Sequence, residues 1–436
     1  MTRRYPAYQD SGVEWLGEVP AGWEVKRLRR FARLKTDKAT TSENPVALEN
    51  IESWTGRIIP TDAEFQGEGV AFDRGDILFG KLRPYLAKVA VAADRGEAVG
   101  DFHVFKPSAE MNSYYLQRHL LAPAVISVID GSTYGSKMPR ASWDFMADLP
   151  LAVPPLPEQT AIAAFLDRET TKIDALVEEQ QRLIDLLREK RQAVISHSVT
   201  RGLNPAAKLK PSGVDWLGDV PEGWAVGKLG HFAWLQGGFA FPSEAFGSDG
   251  IAVVKMTNLD RGSLAFENAA YIPENAALDR VALREGDLVW GMSGSVGDTG
   301  SLGNFARVRF ADLPCQLNQR VGRFVPLTDA ISLDFLEFVI QSRNFYEQVL
   351  LWVTGTAQFN ISSEQVQSCK IAVPPRTEQE EIVAFLKQTL EKFDTLTQTA
   401  GSAITLLQER RAALISAAVT GKIDVRGTFE SVTNAA

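Results

Sequence analysis

The sequence predicts an α+β protein built twice over: two mixed α/β domains, each followed by a long helix, in a pseudo-twofold internal repeat. Three observations predict it. Ser11-Gly12-Val13-Glu14-Trp15-Leu16-Gly17, running on to Gly22-Trp23, returns 201 residues later as Ser212-Gly213-Val214-Asp215-Trp216-Leu217-Gly218 and Gly223-Trp224. Ala152-Val153-Pro154-Pro155 with Glu158-Gln159 returns 220 residues later as Ala372-Val373-Pro374-Pro375 with Glu378-Gln379. Each of these second blocks opens a run whose apolar residues alternate spacings of four and three, the pattern of a helix with one apolar seam. The ends of each copy therefore match, while the interiors differ by 19 residues in length and in nearly every side chain.

Residues 1–156 form the first globular segment. Short β-rich runs such as Gly75-Asp76-Ile77-Leu78-Phe79-Gly80 and Leu86-Ala87-Lys88-Val89-Ala90-Val91 are broken by Gly, Pro, Asp and Asn, which is strand and turn chemistry. At Pro154-Pro155-Leu156-Pro157 the prolines close that segment, and Pro157 with Glu158 suits a first helical turn. A helix over 157–202 follows, with a heptad seam through Ile162, Leu166, Ile173, Leu176, Leu183, Leu187 and Val194, stopping at Gly202. Residues 203–376 repeat the globular pattern. Residues 377–423 repeat the helix, with a seam through Leu386, Phe393, Leu396, Leu407 and Leu414 and a glycine, Gly401, that costs about 1 kcal/mol relative to alanine. Residues 424–436 form a C-terminal tail. Two helices of matched length, each after its own domain, favour antiparallel coiled-coil pairing with one another, and some 40 residues make a rod of roughly 60 Å.

Composition narrows the function. At 436 residues, 45% hydrophobic and 23% charged, the chain has the make-up of a soluble multidomain protein without a bilayer-spanning run. Its start lacks the apolar core of a secretory signal, and Cys315 and Cys369 make no disulfide framework. A cytoplasmic location is expected. The net charge of −8 argues against coating nucleic acid by charge alone, yet permits a local basic surface.

Enzyme signatures are missing. His103, His119, His197 and His231 have no metal-ligand spacing with each other or with the cysteines. Gly75 to Leu82 approaches a P-loop but has Leu82 where a hydroxyl should hold Mg²⁺, and Gly286 to Ser293 lacks the lysine. Gly291-Met292-Ser293-Gly294 has no triad partners, and no Asn-Pro-Pro-aromatic tetrad of an adenine methyltransferase occurs. No catalytic residue, metal or cofactor is expected in this chain.

Polar and cationic loops remain as candidates. Lys26, Arg27, Arg29, Arg30, Arg33, Lys35 and Lys38 fall within 13 residues, interleaved with Leu28, Phe31 and Leu34 at helix-like spacing. They suggest an amphipathic basic element that tracks phosphates or docks a partner. Lys81, Arg83, Lys88, Lys137 and Arg140 occupy turns of the same half, where arginine can bond guanine bidentately. The second half offers Lys255, Asn258, Arg261, Ser293, Ser295, Arg320, Gln358 and Asn360, whose amides suit adenine. At the 220-residue offset, Gly135 to Arg140 faces Gly355 to Asn360: the loop repeats and its chemistry changes.

The duplicated Gly-Trp pairs, the Gly-Asp turns at Asp76 and Asp287, the two Pro-Pro-x-x-Glu-Gln junctions and the helix-closing stretches at Glu189 and Glu409 resemble the specificity (S) subunit of Type I restriction-modification systems. The resemblance covers almost the whole chain. It implies two target recognition domains (1–156 and 203–376), each reading one half of a split, asymmetric double-stranded DNA site. It implies two conserved spacer helices (157–202 and 377–423) that fix the gap between the halves. It also implies docking of two methyltransferase (M) subunits, which bring S-adenosylmethionine, and of restriction (R) subunits, which use ATP and Mg²⁺. A different class fits the acidic balance: a coiled-coil scaffold with two protein- or sugar-binding domains.

Overall fold

The computed structural model describes residues 4–39, 44–59, 69–133, 137–297, 300–355 and 358–426. It divides into two compact units, one of residues 1–181 with 400–436, the other of residues 182–399. Each unit thus holds one globular segment, the N-terminal part of the helix that follows it, and the C-terminal part of the other long helix.

In the first unit, strands Ala32–Lys35, Phe102–Pro107, Ile77–Gly80 and Val89–Val91 lie in that order in an antiparallel sheet. Pro150–Val153, the strand that ends in the repeated proline block, pairs with Glu24–Arg27, just after the repeated Gly-Trp. The second unit repeats the order with Ala233–Gly237, Val321–Pro326, Leu288–Gly291 and Phe305–Arg307, and pairs Lys370–Val373 with Ala225–Lys228. The two ends of each frame are therefore neighbours in one ladder. The units differ in a small three-stranded sheet. In the first, Val70–Phe72 flanks Gly96–Ala98, which pairs in parallel with Pro45–Val46. In the second, Ala270–Ile272 joins the opposite edge, on Ile251–Val254, which pairs in parallel with Cys315–Leu317.

The Gly-Asp turns serve these sheets. Gly75 and Gly286 have φ of +88° and +84°, a conformation that costs glycine nothing. Each following carboxylate then accepts from its own turn and from one cation: Asp76 from the Asp73 N–H and Lys35, Asp287 from the Arg284 N–H and Arg323.

The long helices span Leu156–Arg201 and Arg376–Val419. In the first unit Ile162 and Leu166 share a core with Ile415, Ala418 and Val419 under Trp23, Phe79, Phe105 and Tyr115. Further along, Asp174 meets Arg411. Residue numbers rise on one helix as they fall on the other, so the pairing is antiparallel. In the second unit Ile195 and Val199 share a core with Ile382, Val383 and Leu386 under Trp224, Trp290 and Phe335, and Arg191 meets Asp394.

The seam within these helices differs from the heptad reading. Leu166, Ile173, Leu187 and Leu386 are buried and Val194, Phe393, Leu407 and Leu414 half-buried, but Leu176, Leu183 and Leu396 are exposed. The isoleucines repeat every eleven residues instead: Ile162, Ile173, Ile184 and Ile195 are all buried. Ile382, Phe393, Ile404 and Ile415 repeat that period, the outer two buried and the inner two half-buried. Eleven residues in three turns is 3.67 per turn, close to the helix's natural 3.6, so the stripe runs nearly straight without left-handed supercoiling.

Among the described residues no helix is long and apolar enough to cross a membrane.

Candidate nucleic-acid interface

The Gln of each Pro-Pro-x-x-Glu-Gln block is a buried brace. Gln159 accepts from the Asn112 N–H at 2.8 Å and donates to the carbonyls of Glu110 and Pro154 at 3.0 and 2.9 Å. Gln379 accepts from the Ser332 N–H at 2.9 Å and donates to Ala330 and Pro374. Asn112 and Ser332 are the caps of helices Ser113–Leu120 and Leu333–Gln341, so one amide fixes a domain helix against the start of a long helix. Its neighbour does different work in each copy. Glu378 accepts from the Trp224 indole at 3.0 Å, whereas Glu158 accepts from the Tyr5 hydroxyl at 2.6 Å.

Beyond this frame, three segments converge in each unit. In the first, the chain leaving Ile77–Gly80 runs between two partners. The Lys81 N–H donates to the Asp101 carbonyl at 2.8 Å, and the Ala141 N–H donates to the Lys81 carbonyl at 2.8 Å. Leu82 bridges Arg140, and the Arg83 N–H donates to Pro139. In the second unit the Met292 N–H donates to Arg320 at 2.9 Å, the Ile361 N–H donates to Met292 at 3.0 Å, and Ser293 pairs with Asn360. The junction is therefore the same backbone construction with different side chains: Lys81, Leu82, Asp101 and Arg140 in one, Met292, Ser293, Arg320 and Asn360 in the other.

The electrostatics of the two junctions diverge. Arg140 grips Asp101 from Nε and Nη2 at 3.1 and 2.9 Å, and Lys81 lies 3.7 Å from the same carboxylate. Those hydrogen bonds, chiefly Arg140's, hold the Asp101 carboxyl below the usual carboxylate range despite partial burial. His103 touches the Ala141 carbonyl at 3.0 Å, and burial pushes its pKa down, leaving it neutral at pH 7. Arg83 is exposed in a left-handed backbone at φ +51°, Tyr85 two residues on is exposed, and so is Met138, two residues before Arg140; strained non-glycine positions such as Arg83 gather at functional sites. In the second junction Ser293 donates to Asn360 Oδ1 at 2.8 Å, and Arg320 is exposed. Exposed Ser295 and Gln358 flank it.

Not every candidate belongs here. Lys26 to Lys38 does not form a helix: strand Glu24–Arg27, a 3-10 turn Leu28–Arg30 and strand Ala32–Lys35 follow one another. The apolar spacing of Leu28, Phe31 and Leu34 suits that turn and strand as well as it suits a helix. Its cations are largely committed: Lys26 pairs with Glu24, Arg27 and Arg29 with Asp148, Arg30 with Glu110, and Lys35 with Asp73 and Asp76. Lys88 donates to the Leu48 carbonyl at 2.6 Å. Asn258 is buried, accepting from the Lys255 N–H and donating to Ala265, as Asn50 does with Ala47 and Ile59 in the first unit; its amide braces a turn. Lys255 sits 4.0 Å over the Phe246 ring. Exposed Arg261 lies in a separate left-handed turn at φ +37°. Lys137 is exposed beside Met138, while Gly135, Ser136, Thr356 and Ala357 of the compared loops, and residues 427–436 of the tail, lie outside the described residues. Asp101 escaped the sequence reading; the one signal for it is its place just before the apolar run Phe102 to Phe105, matching Arg320 before Val321.

No three His, Cys, Asp or Glu gather as metal ligands among the described residues. Cys315 and Cys369 are buried free thiols, each pushed up to about 12 by burial, and so unreactive.

Comparison with known proteins agrees with this duplicated architecture. The MjaVIII specificity subunit of a Type I restriction enzyme from Methanocaldococcus jannaschii is 24% identical over 302 residues, 69% of this chain and 68% of that one. The EcoAI specificity subunit from Escherichia coli is 27% identical over 180 residues, 41% of this chain and 30% of that one. Among solved structures, a chain from a study of assembly and conformational transition in the type I restriction-modification system superposes with a TM-score of 0.73 at 18% identity, covering 92% of this chain and 98% of that one. The HsdS subunit from Thermoanaerobacter tengcongensis superposes with a TM-score of 0.52 at 19% identity, covering 93% and 98%. The Type I restriction modification DNA specificity domain matches residues 20–184 and again 221–405, one copy for each half of the repeat, and the chain belongs to that family.

Proposed function

We propose that this chain is the DNA-specificity subunit of a Type I restriction-modification complex, non-catalytic itself, with each unit reading one half of a bipartite, asymmetric double-stranded site. One observation carries the reading: a backbone junction built twice, with different polar groups on it each time. A duplicated reader with identical groups would read a repeated or palindromic sequence, whereas unlike groups read unlike halves. The two recognition segments are 1–156 and 203–376, and the helices 157–202 and 377–423 set the gap. Those helices also dock two methyltransferase subunits supplying S-adenosylmethionine, and restriction subunits using ATP and Mg²⁺ join the assembly. The acidic net charge suits a subunit that takes its sequence-independent affinity from partners and contributes base contacts.

Methylating a plasmid library with this chain and its cognate methyltransferase subunit, then mapping the modified adenines, tests this. A split motif with unlike halves is expected. A continuous or palindromic motif overturns the two-reader arrangement, and binding to protein or glycan with no duplex shift in the presence of the methyltransferase subunit would favour a scaffold.

A further inference from the structure

We propose that Asp101 is a positioning residue that sets Arg140 to read a guanine in the half-site of the first unit. The inference rests on the specificity reading above and names the residues that execute it.

Geometry gives Arg140 this role. A guanidinium presents five N–H groups in a rigid planar fork. Asp101 accepts from Nε and from one hydrogen of Nη2, at 3.1 and 2.9 Å. The remaining edge, Nη1 with the second Nη2 hydrogen, bonds to no other group among the described residues, and the side chain stays half-exposed. That edge has the spacing of the O6 and N7 acceptors of guanine in the major groove. The backbone beneath it is fixed on both sides, since residue 140 bridges Leu82 and residue 141 is bonded to Lys81.

Charge separates this role from phosphate binding. A cation that tracks phosphates gains by keeping its full charge, and Arg140 has surrendered much of its own to a bidentate carboxylate. What the pair gains instead is orientation: less rotamer freedom is lost when a base is met. The equivalent position of the second unit holds Arg320 in place of the acid and Asn360 in place of Arg140, so the second junction lacks this device.

Complexes of the chain with its methyltransferase subunit, carrying Arg140→Gln, Asp101→Asn or Asp101→Glu, are to be compared with wild type on a randomised duplex library. Adenine modification is mapped and salt-dependent binding to a non-specific duplex measured. One guanine position in one half-site is expected to lose roughly tenfold or more of its preference in Arg140→Gln and Asp101→Asn. Asp101→Glu retains the preference. Non-specific binding strengthens in Asp101→Asn, because Arg140 is released to phosphates. The other half-site, unchanged in the same complex, reports that the chain is folded. A wild-type split motif that neither Arg140→Gln nor Asp101→Asn alters overturns the Asp101–Arg140 inference alone; a wild type without a split motif overturns the specificity reading beneath it.

Discussion

Arg411 donates from Nε to Asp174 at 2.8 Å, and the same two residue types meet as Arg191 and Asp394 at 2.7 Å in the second unit. The copies differ in burial. The Arg411 and Asp174 side chains are 10% and 18% exposed, and Arg411 also donates to the Trp54 carbonyl, while Arg191 and Asp394 are 35% and 68% exposed. Removing one partner of a shielded pair strands the other, whereas an exposed pair gives up little. Arg411→Ala should therefore lower unfolding free energy by about 3 kcal/mol, and Arg191→Ala by less than about 1 kcal/mol. Urea melts of the two variants check this, and equal losses would contradict it.

Adjacent residues on the first long helix separate the eleven-residue stripe from a heptad. Ile184 is 7% exposed and Leu183 is 40% exposed. Ile184→Ala should cost about 3 kcal/mol through lost burial and a cavity, and Leu183→Ala about 0.5 kcal/mol or less. A heptad seam through Leu183 demands the reverse order, so two denaturation curves decide between them.

Gln159 satisfies three backbone groups with one buried amide. Gln159→Ala leaves the Asn112 N–H and the Glu110 and Pro154 carbonyls without it. With each stranded group costing on the order of 1 kcal/mol, the variant should lose about 3 kcal/mol. Hydrogen exchange should rise first at the start of Ser113–Leu120; exchange rising only at the distal end of that helix would rule out the brace.

His119 makes acid stability partly predictable. It is fully buried, its Nε2 accepts from the Ala152 N–H at 3.3 Å, and burial pushes its pKa down to about 4. The unfolded chain takes up the proton near pH 6.5 and the folded chain does not, so this contribution is complete above that pH. It is lost at about 1.4 kcal/mol per unit as the pH falls from about 6.5 towards 4. Stability curves of wild type and His119→Gln at pH 7, 6 and 5 should converge as the pH falls, and parallel curves would exclude the linkage.

Much of the frame was legible because its signals are local. Pro-Pro followed by Glu-Gln announces a helix start, Gly202 and Gly421 at φ of +74° and +73° end the two helices, and closely matching ends at two offsets reveal the duplication. What was hidden depends on which strands pair. Asp101 and Arg140 are 39 residues apart, and only the three-segment junction brings them together. Asn258 carried the right chemistry for adenine, yet its amide was already spent inside a turn. The basic run at 26–38 failed for a related reason: its acids, Asp148, Glu110, Asp73 and Asp76, arrive from distant segments. The leucines at 176, 183 and 396 fitted a heptad by spacing alone, and nothing in spacing tells which stripe of a long helix is covered.

At both junctions a set of main-chain hydrogen bonds joins the three segments, and the side-chain contacts of Arg140 and Lys81 with Asp101, and of Ser293 with Asn360, are added on top of that set. Those main-chain bonds do not depend on what the exposed positions 140 and 320 carry, whereas Met292 is buried in the core of its unit. If the junctions read bases as proposed, substitutions at the exposed positions exchange one preference for another while the main-chain bonds between the segments stay in place. Diversification of recognition and preservation of architecture are thus assigned to different atoms of the same residues.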